Sequence, residues 1–210
     1  MAPAKSVKNK IVLDTSLFVN PDVRESLGRN PTEALEVFLK LITMIPDTEF
    51  YMPPSVFSEL MNFIEQERLP SELLVHLIQK PPRLYELSTP AFFLYELIED
   101  IRERVNKGLR VAEKAVRSAE TKKADEVIQE LRRKYREALR EGIIDSKEDV
   151  DLILLARELD ALLVTADKGA IKWAEKLGIK WLVPEKFREY IETLIRRSTK
   201  SEARQKPQDI

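Results

Sequence analysis

The chain has 210 residues, 43% hydrophobic and 34% charged, with 35 Lys and Arg against 36 Asp and Glu, enough for one good core and an appendage. It has no cysteine, which excludes disulfides, thiolate catalysis and cysteine-based zinc sites. Its single histidine, His76, excludes mechanisms that need a histidine acid and a histidine base. No apolar run approaches the roughly 20 residues of a membrane span, and "MAPAKSVKNK" lacks the apolar core of a signal peptide. The expectation is a soluble cytoplasmic protein without a membrane partner.

In chain order, "KIVLD" is a short apolar run ending in Asp14 and reads as a buried strand. "TEALEVFLKLITMI" has helical spacing, with Thr32 as a candidate N-cap. "EFYMPPS" reads as a strand stopped by Pro53 and Pro54, and "SVFSELMNFIEQE" as a helix that Ser55 caps. "SELLVHLIQK" reads as a further helix and "RLYEL" as a strand. From about Ala91 to Glu141 two long helical patterns follow, joined by "TKK". Leu109, Ala112, Ala115 and Ala119 form a narrow apolar stripe on the first, and Val127, Leu131, Tyr135 and Ala138 on the second. Paired stripes across a short turn predict an antiparallel helical hairpin, with Gly142 as its stop. Helix, strand, helix and strand then resume in "KEDVDLILLARELD", "ALLVT", "KGAIKWAEKLG" and "KWLV". "PEKFREYIETLIRR" is a last helix with Pro184 at its first position. Trp173 and Trp181 are expected in the core. Alternating strands and helices predict a parallel α/β sheet interrupted by the hairpin. The expected division is 8–90 and 143–197 for the α/β domain, 91–142 for the hairpin and 198–210 for a flexible tail.

Ligands of open α/β sheets sit beyond the carboxyl ends of the strands. Asp14 ends the first strand, and Asp167 closely follows "ALLVT". Asp145, Asp149 and Asp151 lie at or near the start of the helix leading into that strand, and Glu59 in the helix after "EFYM". A convergent set of carboxylates is a hard, oxygen-rich site suited to Mg²⁺ or Mn²⁺. Such ions activate water and stabilise charge at a phosphodiester. Each acid also has a plainer account. Ser146 and Asp149 have the spacing of a capping box, and acids favour a helix N-terminus. Asp167 has the position to cap the following helix, and Asp14 to serve a turn before "TSLF". Asp151 and Glu59 read equally as solvated helix acids. Phosphate-cradling glycine motifs and a G-x-S-x-G elbow are absent from the sequence.

The charge is segregated. Between Arg102 and Arg140 stand 13 Lys and Arg and 7 Asp and Glu, six positive charges in excess, so in a chain of net −1 the remainder is acidic by seven. A basic hairpin beside an acidic body fits a grip on a nucleic-acid backbone. The candidates are Arg110, Arg117, Lys122, Lys123, Arg132, Arg133, Lys134 and Arg136. The alternatives are a solvated helix laced with pairs such as Glu113 with Arg117, and docking of a partner helix.

"IVLDTSLF", "PPSVFSEL", "DVDLILLARELDALLVTADKG" and "IKWLVPEKF" together resemble a PIN-like metallonuclease domain. With the helical insertion before "IIDSKEDVD", the chain is similar to the HARP family of protein-only, RNA-free ribonucleases P, from about Lys10 to Arg197. The resemblance implies a PIN-like three-layer α/β/α fold with a central parallel sheet. It implies Mg²⁺-dependent removal of the 5′ leader of precursor tRNA, leaving a 5′-phosphate, with no RNA subunit. Asp14, Asp149 and Asp167 correspond to the expected metal ligands, and Asp145 and Asp151 complete the catalytic acids. Glu59, Thr165 and Ser16 are candidates to support them from behind. The family also implies homo-oligomers built from dimers through the insertion. Two other readings stand beside this one: a PIN ribonuclease acting on messenger or ribosomal RNA, and a non-catalytic RNA-binding scaffold.

Overall fold

The structure, a computed structural model, describes residues 8–86, 88, 90–121, 123–140 and 146–205. These residues form two compact units: one from the residues up to Tyr85 and from Ser146 onward, the other from those between Glu86 and Asp145.

The first unit is built on five parallel strands. They are β1 (Asn9–Leu13), β2 (Thr48–Met52), β3 (Leu77–Gln79), β4 (Leu162–Val164) and β5 (Trp181–Leu182), in the order β3-β2-β1-β4-β5. Strand β1 is central. Ile11 pairs with Phe50 on one side and with Leu162 on the other. Ile11, Val12 and Leu13 are fully buried, as expected of a strand covered on both faces. The helices that cover the sheet are α1 (Ser16–Val19), α2 (Pro21–Arg24), α3 (Pro31–Ile42), α4 (Pro54–Met61), α5 (Ser71–Leu74), α8 (Lys147–Leu159), α9 (Lys168–Lys176) and α10 (Phe187–Gln205). The result is the expected three-layer α/β/α arrangement. Phe38 of α3 stands at the centre of the core, with ring centroids 5.3 Å from Phe18, 5.5 Å from Phe50 and 6.1 Å from Phe187. Trp173 is fully buried and Trp181 half-buried.

Several local expectations are corrected. Asn30, not Thr32, caps α3, its Oδ1 accepting from the Glu33 N–H at 2.9 Å. Thr32 is buried instead and accepts from the Glu65 N–H at 2.9 Å. Helix α4 ends at Met61, and Pro53 occupies its cap position, so Ser55 lies inside the helix. "SELLVHLIQK" is half helix and half strand: α5 stops at Leu74 and β3 begins at Leu77. "RLYEL" contributes no strand among the described residues. Helix α10 runs on to Gln205, past the point where polar composition predicts the fold to end, and buries Ser198.

The second unit is a helical hairpin of α6 (Phe92–Ser118) and α7 (Ala124–Arg140), packed along each other. Its seam keeps the stripe expected on α7 and, on α6, Ala112 and Ala115 but not Leu109 and Ala119. Val111, Ala115 and Ser118 of α6 and Val127, Leu131 and Ala138 of α7 line the groove between the helices, about 690 Å³ in volume. Tyr135 lies over Gly108, where a Cβ would meet the ring at 2.7 Å. Small residues at the seam admit the close approach, and the larger apolar stripe of α6 turns outward. Leu109 is accordingly 56% exposed. Gly142 lies outside the described residues.

Candidate active site

Asp14 follows the last residue of β1, and its backbone N–H donates to the Val164 carbonyl of the neighbouring β4 at 3.1 Å. This holds the carboxyl ends of the two strands together. The Asp14 side chain is buried, with 7% of the residue exposed. Three hydroxyls surround it. Ser16 Oγ and Thr165 Oγ1 donate to Oδ2 at 2.6 and 2.7 Å, and Thr15 Oγ1 donates to Oδ1 at 3.3 Å. No cation pairs with Asp14 among the described residues. The turn role weighed for Asp14 is not what its side chain does, because α1 has Thr15 at its cap position and no side-chain cap bond.

Ser16 and Thr165 tie this carboxylate to the loop after β4. Ser16 Oγ accepts from the Ala166 N–H, and Thr165 Oγ1 from the Asp167 N–H, each at 3.0 Å. Asp167 caps α9, its Oδ1 accepting from the Ala170 N–H at 2.7 Å. One hydroxyl, that of Thr165, therefore touches both Asp14 and the residue that carries the second acid.

Helix α8 begins at the same edge of the sheet and packs against β1, β4 and α4. Ser146 is its N-cap. Its Oγ accepts from the Asp149 N–H at 3.1 Å and donates to Asp149 Oδ2 at 2.9 Å. Ser146 is thus the N-cap that the spacing allows, with the Asp149 carboxylate bound to its hydroxyl. Asp151, one turn into α8, accepts from Ser55 Oγ of α4 at 2.6 Å. Asp145 lies outside the described residues.

Glu59 is exposed over much of its surface, yet its carboxyl is held above the ordinary carboxylate range. Partial burial is the first cause, and the negative charges of Asp14 and Glu148 are the next. The coupling links α4, β1 and α8 at one edge of the sheet. It also brings in Glu148, which spacing alone does not distinguish from any acid in a first helical turn. Its signal, three residues before Asp151 on one helix face, becomes readable only once α4 is beside it. Among the described residues no three carboxylates stand close enough to enclose one ion. Their chemistry nevertheless fits a hard divalent cation: the donors are all oxygen, one of them is a buried carboxylate without a cation, and their like charges raise Glu59.

In the hairpin, Arg110, Arg117, Lys123, Arg132, Arg133, Lys134 and Arg136 are all exposed. Arg133 pairs with Glu137 at 2.8 Å and Lys134 with Glu130 at 2.6 Å along α7. The other five pair with no carboxylate among the described residues, and Arg117 does not take up Glu113. Lys122 lies outside the described residues. No helix among the described residues is long and apolar enough to cross a membrane.

Comparison with known proteins identifies the family. The pattern of PINc domain ribonucleases matches residues 10–196. The chain is 55% identical over 184 residues to an RNA-free ribonuclease P of Thermodesulfovibrio yellowstonii, covering 88% of this chain and 94% of that one. It is 53% identical over 197 residues to the RNA-free ribonuclease P of Pyrococcus abyssi, covering 92% and 97%. It is 56% identical over 189 residues to that of Thermococcus kodakarensis, covering 89% and 96%. Matched from β1 into α10 by the one pattern, and at more than half of the aligned positions by the others, the chain belongs to the PINc domain ribonucleases and, among them, to the RNA-free ribonuclease P family.

Proposed function

We propose that the protein is an endoribonuclease of the ribonuclease P type that removes the 5′ leader of precursor tRNA without an RNA subunit. The observation that carries this reading is the identity of more than half of the aligned positions over 94–97% of RNA-free ribonucleases P. Hydrolysis leaves a 5′-phosphate on the tRNA and a 3′-hydroxyl on the leader.

Asp14, Asp149 and Asp167 would hold Mg²⁺, or Mn²⁺ in its place, with Asp145 and Asp151 completing the catalytic acids. The bound ion would supply Lewis acidity for the phosphodiester and activation of the attacking water. Ser16 and Thr165 keep the Asp14 carboxylate in one orientation, and Thr165 sets the backbone of Asp167 relative to it. Glu59 and Glu148 add negative charge at the same edge. No histidine is required of this chemistry.

Arg110, Arg117, Lys122, Lys123, Arg132, Arg133, Lys134 and Arg136 of the hairpin would grip the tRNA through its backbone and folded shape. The outward stripe of α6, with Leu94, Ile98, Ile101, Val105, Leu109 and Val116 each 50–72% exposed, supports docking of a second copy into homo-oligomers built from dimers. The enzyme would act in the cytoplasm, with its substrate.

The test is cleavage of precursor tRNA by the purified protein in Mg²⁺ or EDTA, with the product ends mapped. Ion-dependent release of the leader at the mature 5′ end is expected. Cutting only at other sites would reassign the substrate to messenger or ribosomal RNA. RNA binding without cutting would make the protein a scaffold.

A further inference from the structure

We propose that Ser55 is a positioning residue of the nuclease, whose hydroxyl fixes the Asp151 carboxylate toward the divalent-ion site from across the α4–α8 contact. The inference rests on the reading that Asp151 belongs to that site.

Ser55 and Asp151 are 96 residues apart in sequence, and their 2.6 Å bond joins two helices that begin at the carboxyl edge of the sheet. A hydroxyl donated to an ionised carboxylate at this distance is among the stronger kinds of hydrogen bond. Ser55 has no competing local duty, since the cap of α4 carries no side-chain bond and the serine lies within the helix. Asp151 makes no other hydrogen bond or ion pair among the described residues, so its Oδ1 is left over for a ligand. Asp149 and Asp167, by contrast, each commit an oxygen to a helix start.

The neighbouring positions explain why such a fixture is needed. Glu59 lies four residues beyond Ser55, on the same face of α4. Glu148 lies three residues before Asp151, on the same face of α8. These two acids are coupled by repulsion. The bonded pair therefore sits between two acids that repel one another, Glu59 beyond it on α4 and Glu148 before it on α8. Without the bond, Asp151 regains its rotamer freedom one helical turn from the like charge of Glu148. Groups that orient a ligating side chain from behind typically contribute 10- to 100-fold to metal affinity.

The experiment uses the full chain with Ser55→Ala, Ser55→Thr, Asp151→Ala and the Ser55→Ala/Asp151→Ala double variant. Thermal unfolding is followed against Mg²⁺ and Mn²⁺ concentration without RNA, and precursor tRNA cleavage against Mg²⁺. Ser55→Ala should need on the order of 10- to 100-fold more ion for half-maximal effect in both assays. Its KM for precursor tRNA should stay as in the wild type, and Ser55→Thr, which keeps the hydroxyl, should recover most of the ion affinity. The double variant should be no worse than Asp151→Ala alone. An unchanged ion requirement in Ser55→Ala, or an equal shift in the Ala and Thr variants, overturns the inference while the nuclease reading stands. A wild type that shows neither ion-dependent stabilisation nor cleavage overturns both. Metal-free melting curves of the two Ser55 variants control for a general loss of packing.

Discussion

A carboxylate at the end of a buried strand loses hydration, and hydroxyl donors restore only part of it. Asp14 has three such donors and, among the described residues, no cation. Asp14→Asn keeps an acceptor for Ser16 and Thr165 and removes the charge. Cleavage should fall by on the order of 10³-fold, while the ion-free protein melts no lower than the wild type. A comparable loss of both activity and ion-free stability would make Asp14 structural. Glu59 gives the matching pH prediction. Its carboxyl is raised in the folded state, so the folded protein holds that proton more tightly than the unfolded chain. The associated stability is full below the ordinary glutamate value of 4.5 and is lost as pH rises through the elevated one. In EDTA, Glu59→Gln should therefore melt above the wild type at neutral pH, and the gap should close on acidification. Saturating Mg²⁺ should narrow it as well, because a cation relieves the same repulsion. A gap that is constant from pH 4 to 8 would assign the effect to packing rather than charge.

Between elements, the segment after β3 is held to α8 by Glu158. Lys80 Nζ donates to its Oε1, and the Arg83 backbone N–H donates to Oε2 at 2.8 Å. Burial alone would raise this carboxyl. The bonds from Lys80 and Arg83, with their charges, outweigh it and hold Glu158 below the usual range. The stability it contributes is present above the ordinary glutamate value and is lost as pH falls through the lowered one. Glu158→Gln should cost about 1–2 kcal/mol at pH 7 and progressively less in acid, read from urea unfolding at several pH values. None of this clamp is visible in the sequence, where Lys80 and Glu158 stand 78 residues apart. What the sequence does reveal is local. "KIVLD" and "ALLVT" read as strands because short apolar runs end at polar residues, and Asp14 and Asp167 follow from where those runs stop. Strand β3 is missed because it is three residues long at a sheet edge, with only Leu77 buried. The hairpin seam is read in part: Ala112 and Ala115 of the expected stripe line the grooves against α7, whereas Leu109 and Ala119 are exposed. Gly108 and Ser118 carry no hydrophobic signal, though they are where the helices meet. Ser55 and Glu148 acquire their roles only from long-range contacts that spacing does not encode.

At the scale of the whole molecule, charge is segregated along the chain rather than between the two units. The residues between Arg102 and Arg140 carry six positive charges in excess, and the segments flanking them in the same unit, 86–101 and 141–145, carry six negative ones, so each unit is close to neutral as a whole. An acidic site repels RNA when no cation is bound, so affinity has to come from elsewhere in the chain. Arg110, Arg117, Arg132 and Arg136 are the candidates best disposed for it, being exposed and without acidic partners among the described residues. Arg133 and Lys134 are tied to neighbours one turn away, although exposed pairs of that kind contribute under about 1 kcal/mol and exchange readily for phosphate. Each phosphate contact adds about 0.7–0.9 to the slope of log affinity against log salt. Replacing the four arginines by alanine should therefore raise KM for precursor tRNA and flatten its salt dependence by several of these increments. kcat at saturating substrate should be retained, and so should the ion-dependent rise in melting temperature, because the acids are untouched. A short unstructured RNA, which offers no folded shape to grip, should be cleaved no worse by the variant than by the wild type. If kcat falls while the salt slope stays as it was, the arginines support the fold or the assembly of subunits. If the slope flattens and kcat holds, gripping and cutting reside in separate units of the chain.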